Sequence, residues 1–185
     1  MKKYLILIVL AGFCQSCFVF FGLGSADILG GSFDDPVGVQ VGIESKVYEF
    51  NENSSITSGL GVSLQGGSYN DPEGSGAVHL AYLNVPVLYT YDSPFRIYGE
   101  IGLQPGLLIR AKDDFNGTVY DYKEYVNKFE LGLPVGIGYR INDQLNVGIR
   151  ATYGITNVED SDESYHNLLT VATVRYNFGW SLFSK

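Results

Sequence analysis

Residues 129–156, FELGLPVGIGYRINDQLNVGIRATYGIT, alternate between two kinds of side chain with a period of two. Before the central turn the odd positions are apolar, namely Phe129, Leu131, Leu133, Val135, Ile137 and Tyr139. The even positions are glycine, proline or charged, and the alternation resumes after the polar segment INDQ. This pattern predicts two antiparallel strands joined by a tight turn, each with one apolar face. Their length is that of tilted strands crossing a membrane.

The composition also indicates strands in an apolar environment. Hydrophobic residues make up 45% of the 185 residues. Charged residues make up only 17%, which is low for a soluble domain. The chain carries 23 glycines, 14 tyrosines and 11 phenylalanines, residues that suit turns and strands. With 12 basic and 20 acidic residues the net charge is −8, so no nucleic-acid partner is expected. The length predicts one domain plus a leader.

The leader has the features of a secretory signal peptide. Two lysines after the initiator methionine precede the apolar segment YLILIVLAGF. We therefore predict a signal peptide at residues 1–17 and a β-barrel domain at residues 18–185. Cleavage after Ser16 or Cys17 fits the small-residue rule, and cleavage after Ala26 is the alternative. An uncleaved membrane anchor and a lipid attached to Cys17 are further alternatives.

Eight segments share the alternating pattern and are predicted as strands. They are residues 18–25, 37–47, 56–67, 77–91, 95–111, 129–140 and 145–156, and a last strand that begins near residue 168. Short connections (NENS, DSP, NDQ) alternate with longer ones, including SYNDPEGSG and a segment centred on Asn116-Gly117, a pair typical of a type I′ hairpin. Outer-membrane barrels have short periplasmic turns, longer external loops and an even strand number. The sequence thus predicts an all-β fold, an eight-stranded antiparallel up-and-down transmembrane β-barrel.

Charged residues recur on the faces predicted to point inward. The lumen of an eight-stranded barrel is just wide enough to be filled by side chains, and buried charges need partners. We therefore predict a packed lumen that holds a structural charge network; a gated conduit through the lumen is the alternative. The predicted members of the charge network are Glu44, Arg96, Glu100, Glu130, Arg150 and Arg175, and Lys46, Arg110 and Arg140 share their inward phase.

Aromatic residues recur on outward faces near the predicted periplasmic ends. Such residues form the aromatic girdle where a barrel meets the membrane interface. The predicted membrane-interface aromatics are Tyr89, Tyr91, Phe95, Tyr139 and Phe178.

No motif predicts catalytic, cofactor-binding or metal-binding residues. Ser164 and His166, with Glu163 nearby, are the one grouping that could be a hydrolase site, but residues this close on one loop seldom align as nucleophile and base. The acidic residues between positions 159 and 163 match no calcium-loop spacing. No cofactor is therefore expected.

Four segments resemble one family of barrels. They are YLNVPVLYTY (82–91), YGEIGLQPGLL (98–108), FELGLPVGIGYRI (129–141) and LNVGIRATYGITNV (145–158). They are similar to the outer-membrane β-barrel family of Bacteroidetes that includes the PorT-like proteins, a group of small porin-family barrels. The resemblance implies a barrel fold in the bacterial outer membrane. No residue of the four segments indicates the role in secretion that is associated with PorT.

These observations together predict a non-enzymatic, integral outer-membrane barrel with a structural or partner-binding role in the cell envelope. Its expected contacts are outer-membrane lipid and lipopolysaccharide along the wall, and envelope proteins at the external loops. The alternatives are a barrel enzyme acting on lipid A or peptides, a narrow transport or secretion-associated channel component, and a soluble lipocalin-like carrier with apolar residues inside.

Overall fold

The structure is a computed structural model that describes residues 17–30, 33–34, 37–71, 74–158 and 164–178. The predicted signal peptide, apart from Cys17, lies outside these residues. In the described chain no helix has the length and hydropathy that a membrane crossing requires. The strands are β1 (Cys17–Leu29), β2 (Phe33–Asp34), β3 (Val37–Asn51), β4 (Ser54–Asp71), β5 (Gly74–Asn84), β6 (Val87–Asp92), β7 (Ile97–Phe115), β8 (Thr118–Asp121), β9 (Phe129–Arg140), β10 (Leu145–Gly154) and β11 (His166–Phe178).

The strands form a closed antiparallel ring with eight wall positions. The hydrogen-bonded order is β4-β3-β1-β11-β10-β9-β7-β5, and β5 pairs back to β4. Together β5 and β6 make one wall position, interrupted at Val85 and Pro86, because proline has no N–H to donate to the ladder. The short strands β2 and β8 lie outside the ring, where β2 pairs with β4 and β8 pairs with β7. The predicted eight-stranded up-and-down barrel is therefore confirmed.

The first strand closes the barrel. β1 pairs with β11 from Cys17↔Phe178 to Leu29↔His166, and on its other edge with β3. The strand predicted over residues 18–25 is therefore correct, and it is longer at both ends. Without β1 the sheet would have two open edges, which a membrane does not tolerate.

The two faces of the wall have opposite chemistry. Outward side chains such as Val41, Ile101 and Ile149 are about half exposed, whereas the inward Gln40 and Glu100 are buried. Apolar residues therefore face out and polar residues face in, as a membrane-spanning barrel requires. The alternative of a lipocalin-like carrier needs the reverse arrangement and is wrong.

The two ends of the barrel differ in their connections. At one end the ladder is joined by residues 52–53, 93–96 and 141–144 alone. At the other end the strands continue past the wall, so most of the loop predicted at SYNDPEGSG is instead the end of β4 and the start of β5. The stack of Tyr69 on Phe115 and the bond from Tyr69 Oη to Asp113, 3.0 Å, hold this extension. Asn116 and Gly117 both have positive φ, 50° and 80°, which confirms the predicted type I′ hairpin.

Candidate functional site

Two carboxylates and two guanidinium groups meet in the middle of the lumen. Arg150 of β10 donates from Nη1 to Glu44 Oε1 at 2.8 Å and from Nε to Glu100 Oε1 at 2.7 Å. Arg175 of β11 donates from Nη2 to Glu100 Oε2 at 2.5 Å, and its Nε lies 3.6 Å from Glu44 Oε2. All four side chains are buried. We call these four residues the charged layer, and its formal charge sums to zero.

The charged layer joins strands that lie on different sides of the ring, because β3 and β10 are not neighbours and β7 is adjacent to neither. Each member sits at an inward position of its strand, so the period-two pattern alone brings it into the lumen. Aromatic rings support the cations: Arg150 lies 5.3 Å from the centroid of Phe20, and Arg175 lies 5.1 Å from that of Tyr98. These contacts add cation–π attraction to the ion pairs.

Inward glycines make the space that these large side chains fill. A Cβ placed on Gly42 would lie 2.8 Å from the Phe20 ring, and one on Gly148 would lie 2.8 Å from the Tyr98 hydroxyl. A Cβ on Gly136 would lie 2.8 Å from Cγ of Glu100. Such distances are shorter than carbon contacts allow, so the glycines on β3, β9 and β10 permit the packing of the lumen.

Glu130 lies apart from the charged layer, closer to the end with the longer connections. It accepts hydrogen bonds from Gln65 Nε2 at 3.1 Å and from Asn167 Nδ2 at 2.6 Å. Glu130, predicted as a member of the charge network, therefore bonds to neutral amides and has no arginine partner among the described residues. Between the two sites, Gln40 Nε2 donates to Gln104 Oε1 at 3.1 Å.

Beyond Glu130 the lumen is closed by apolar side chains. A buried cluster includes Ile28, Val78, Leu80, Tyr82, Leu108, Ala111, Val126 and Val158. The last two come from the connections β8–β9 and β10–β11, which are tied together by a bond from Asn127 N to Val158 O at 2.8 Å. We call this cluster the apolar cap. Alternating strand patterns do not predict it, because two of its members come from loops.

At the end with the short turns the lumen opens into a cavity of about 340 Å³. Arg96 lines this cavity and is exposed, and its Nη1 donates to the carbonyl of Ile141 at 3.1 Å. Arg96 has a φ of 64° and precedes the start of β7, so it belongs to a turn and does not join the charged layer. Lys46 and Arg140 also line the cavity, and Arg140 pairs with Asp92.

Arg110 is another residue that the alternating pattern places incorrectly. The register between β5 and β7 shifts, so that Ala81 faces Arg110 while Tyr82 faces Leu108. This β-bulge reverses the phase, and Arg110 is exposed on the outer wall. A bulge leaves no mark in the period-two pattern of a single strand, so the sequence did not show it.

Four of the five predicted interface aromatics lie on the outer wall near the end with the short turns, and Phe95 lies in the turn at residues 93–96. Tyr89, Tyr91, Phe95, Tyr139 and Phe178 are each at least 41% exposed. Three further aromatics, Tyr48, Phe50 and Tyr176, join them: the Tyr48 and Phe50 rings are 4.9 Å apart, and those of Tyr176 and Phe178 are 4.8 Å apart. The outward phase of Tyr176 was visible in the sequence, whereas Tyr48 follows a register shift after Lys46.

Ser164 and His166 meet at the other end of the barrel. Ser164 Oγ lies 3.2 Å from His166 Nε2, and His166 Nδ1 lies 2.9 Å from the carbonyl of Gly154. Glu163 and the rest of residues 159–163 lie outside the described part of the chain. Within that part, no three His, Cys, Asp or Glu side chains are placed to hold a metal ion.

Comparison with known proteins identifies the class of this barrel. Residues 29–160 match the family described as outer membrane protein beta-barrel domain. No curated protein matches the chain. Neisserial surface protein A is similar in structure, with a TM-score of 0.64 at 16% identity over 88% of this chain and 97% of that one. Ail, the attachment invasion locus protein of Yersinia pestis, has a TM-score of 0.54 at 12% identity over 89% and 99%.

These likenesses at low identity concern the fold alone, and the family match covers well over half of the sequence. The outward apolar wall, the closed ring and the polar lumen agree with the structural likenesses and with the family match. The chain belongs to the outer membrane protein beta-barrel domain family and is an integral protein of the bacterial outer membrane.

Proposed function

We propose that this protein is a non-catalytic barrel with a structural or partner-binding role in the envelope, and that its lumen does not conduct. The observation that supports this is the filled lumen. The charged layer joins the walls through four buried side chains, and the apolar cap lies between that layer and the external end. A water path would have to break both.

The proposed partners follow from the chemistry of the surface. The apolar wall contacts membrane lipid and, in its outer leaflet, lipopolysaccharide. The β7–β8 hairpin presents exposed Val119 and Tyr120, and the β8–β9 connection presents exposed Tyr125; aromatic side chains of this kind are enriched in protein interfaces. The wall motifs that resemble PorT-like barrels of Bacteroidetes support this assignment to the envelope, and membership of that subgroup is part of the proposal.

Liposome swelling tests the packed lumen. Wild-type protein should give no more solute entry than empty vesicles, because the charged layer and the cap fill the cross-section. A variant that replaces Glu100 and Arg175 by serine and removes the side chain of Val158 should raise solute entry. Entry through the wild-type protein at rates well above those of empty vesicles would instead support the alternative of a narrow channel.

The Ser164–His166 pair supports a second candidate, a barrel enzyme acting on lipid A or peptides. In this scheme His166 Nε2 takes the proton of Ser164, and the Gly154 carbonyl orients the ring through Nδ1–H. His166 lies 5.4 Å from Tyr153, ring centroid to ring centroid, on the outer wall, where an ester of an outer-leaflet lipid would reach it.

A fluorophosphonate probe separates the two candidates. The non-catalytic proposal predicts no labelling of purified protein in detergent and no fatty acid released from lipid A. Labelling that Ser164→Ala abolishes, accompanied by release of fatty acid, would establish the enzyme instead. Ser93→Ala, at a turn on the opposite end, is the matched control.

A further inference from the structure

The outer wall changes from apolar to cationic over three successive cross-strand rows on β4, β5 and β7. The first row is Val62, Leu83 and Leu107; the second is Leu64, Ala81 and Arg110; the third is Gly66, His79 and Lys112. The bulge that reverses Arg110 is what turns both cations of β7 outward. Cations on a membrane-facing wall have no role in the lumen, so they need a separate explanation.

The height of this change matches the edge of the membrane. The outward apolar residues of β7 run from Ile97 to Ile109, twelve residue steps or about 40 Å along a strand. At the tilt of a membrane barrel this corresponds to about 30 Å along the axis, the thickness of the hydrocarbon core. Arg110 and Lys112 therefore lie just beyond this core, at the end opposite to the short periplasmic turns. That is the level of the outer-leaflet headgroups.

The basic side chains of these rows are unpaired in the part of the chain that the structure describes. There, the side chains of Arg110, Lys112 and His79 have no hydrogen bond or ion pair. Two acids are near: Asp114 lies one outward position further along β7, and Asp121 faces Lys112 across the β7–β8 pair. One oxygen of Asp114, Oδ1, is buried and accepts no hydrogen bond. The site thus offers free donors and, beside them, a carboxylate that lines the same groove.

The same residues line a groove of about 360 Å³ in the outer wall. The small side chain of Ala81 leaves room between Leu64 and Arg110, and Gly66 adds no side chain beside His79. Gly66 has a φ of 152°, so this position favours glycine and stays without a side chain. Val37 and Leu64 line the groove together with the cations. The groove is therefore lined by apolar side chains of β3 and β4 on one side and by the cations of β7 on the other.

We propose that this groove binds the phosphorylated sugar headgroup of an outer-leaflet glycolipid. Arg110 and Lys112 bind the phosphate, since a guanidinium and an ammonium are its usual partners in proteins. Asp114, which lines the same groove, accepts a sugar hydroxyl, and an acyl chain runs from Leu64 toward Val62 and Leu83 in the apolar row. This binding site would specify the envelope role proposed above. It rests on that proposal only in assuming that the barrel lies in the outer membrane.

Binding of lipid A to the protein in detergent micelles, measured by native mass spectrometry, tests the proposal. The double variant Arg110→Gln, Lys112→Gln should bind at least about tenfold more weakly, because each lost contact is a charge-assisted hydrogen bond. Ala81→Leu keeps every charge but fills the groove, and it should weaken binding as well. Lys46→Gln, Arg96→Gln removes two cations from the opposite end and should bind like the wild type.

Further arms identify the source of the phosphate. Dephosphorylated lipid A should bind weakly, and soluble glucosamine phosphate should not compete at concentrations that saturate lipid A. Effective competition by the soluble sugar would overturn the lipid assignment, and unchanged affinity in the Arg110 and Lys112 variant would overturn the site. Heat-modifiable migration on gels checks that each variant is folded. Because this assay measures neither conductance nor hydrolysis, its failure leaves the proposed function to its own tests.

Discussion

Replacing Arg150 by methionine would remove the residue that donates a hydrogen bond to each of the two carboxylates of the charged layer. The side chain is fully buried, and methionine fills much of the same volume without charge. After the change, Glu100 keeps its bond to Arg175, but the nearest cation to Glu44 is Arg175 Nε at 3.6 Å, beyond a strong hydrogen bond. The layer would change from neutral to a net charge of −1.

The expected cost follows from the burial of that charge. Removing one partner of a buried ion pair costs about 3–5 kcal/mol in the free energy of unfolding, since the remaining charge is left without compensation. Adding Glu44→Gln should restore a neutral layer and recover about 1–3 kcal/mol of that loss. The recovery distinguishes an effect of charge from a loss of packing volume.

Urea unfolding of the protein in lipid vesicles, followed by gel migration and circular dichroism, measures these differences. Lys46→Gln is the matched control, because Lys46 and its partner Glu49 are 21% and 58% exposed at the rim and the pair is worth about 0–1 kcal/mol. A loss in Arg150→Met no larger than that of the control would show that water reaches the layer. The absence of recovery in the double variant would show that the charge balance is not what matters.

Three other changes test the orientation, the packing and the start of the mature chain. An epitope inserted after Gly117 should be accessible to antibody on intact cells, whereas one after Asn142 should require permeabilisation; the reverse result would invert the barrel. Gly138→Ala should lower stability by about 1–3 kcal/mol in the same urea assay, since its Cβ would overlap the Tyr98 ring, and an unchanged midpoint would contradict this contact. Mass spectrometry of the mature protein should find a start near Cys17, because cleavage after residue 26 would remove most of β1; a start at residue 27 would contradict the closed ring.

The period-two pattern was enough to predict the wall of this barrel. Strands in a membrane must alternate strictly between lipid and lumen, so the side of each residue follows from its parity. That is why Glu44, Glu100, Arg150 and Arg175 were assigned to the lumen from sequence. The even number of strands followed from the alternation of short and long connections.

Inward or outward placement by odd and even position was wrong where the backbone departs from a regular strand. Arg110 follows a bulge and Arg96 lies in a turn, and neither feature is encoded by alternation. The sequence also did not show which lumen side chains bond to each other, because strands that are distant in the chain meet across the lumen. Glu130 thus bonds to Gln65 and Asn167, while Arg150 lies with two other carboxylates. The sequence alone determined the face of the residues in the regular parts of the strands. The closure of the ring, which sets the register and height of every strand, decided which residues meet.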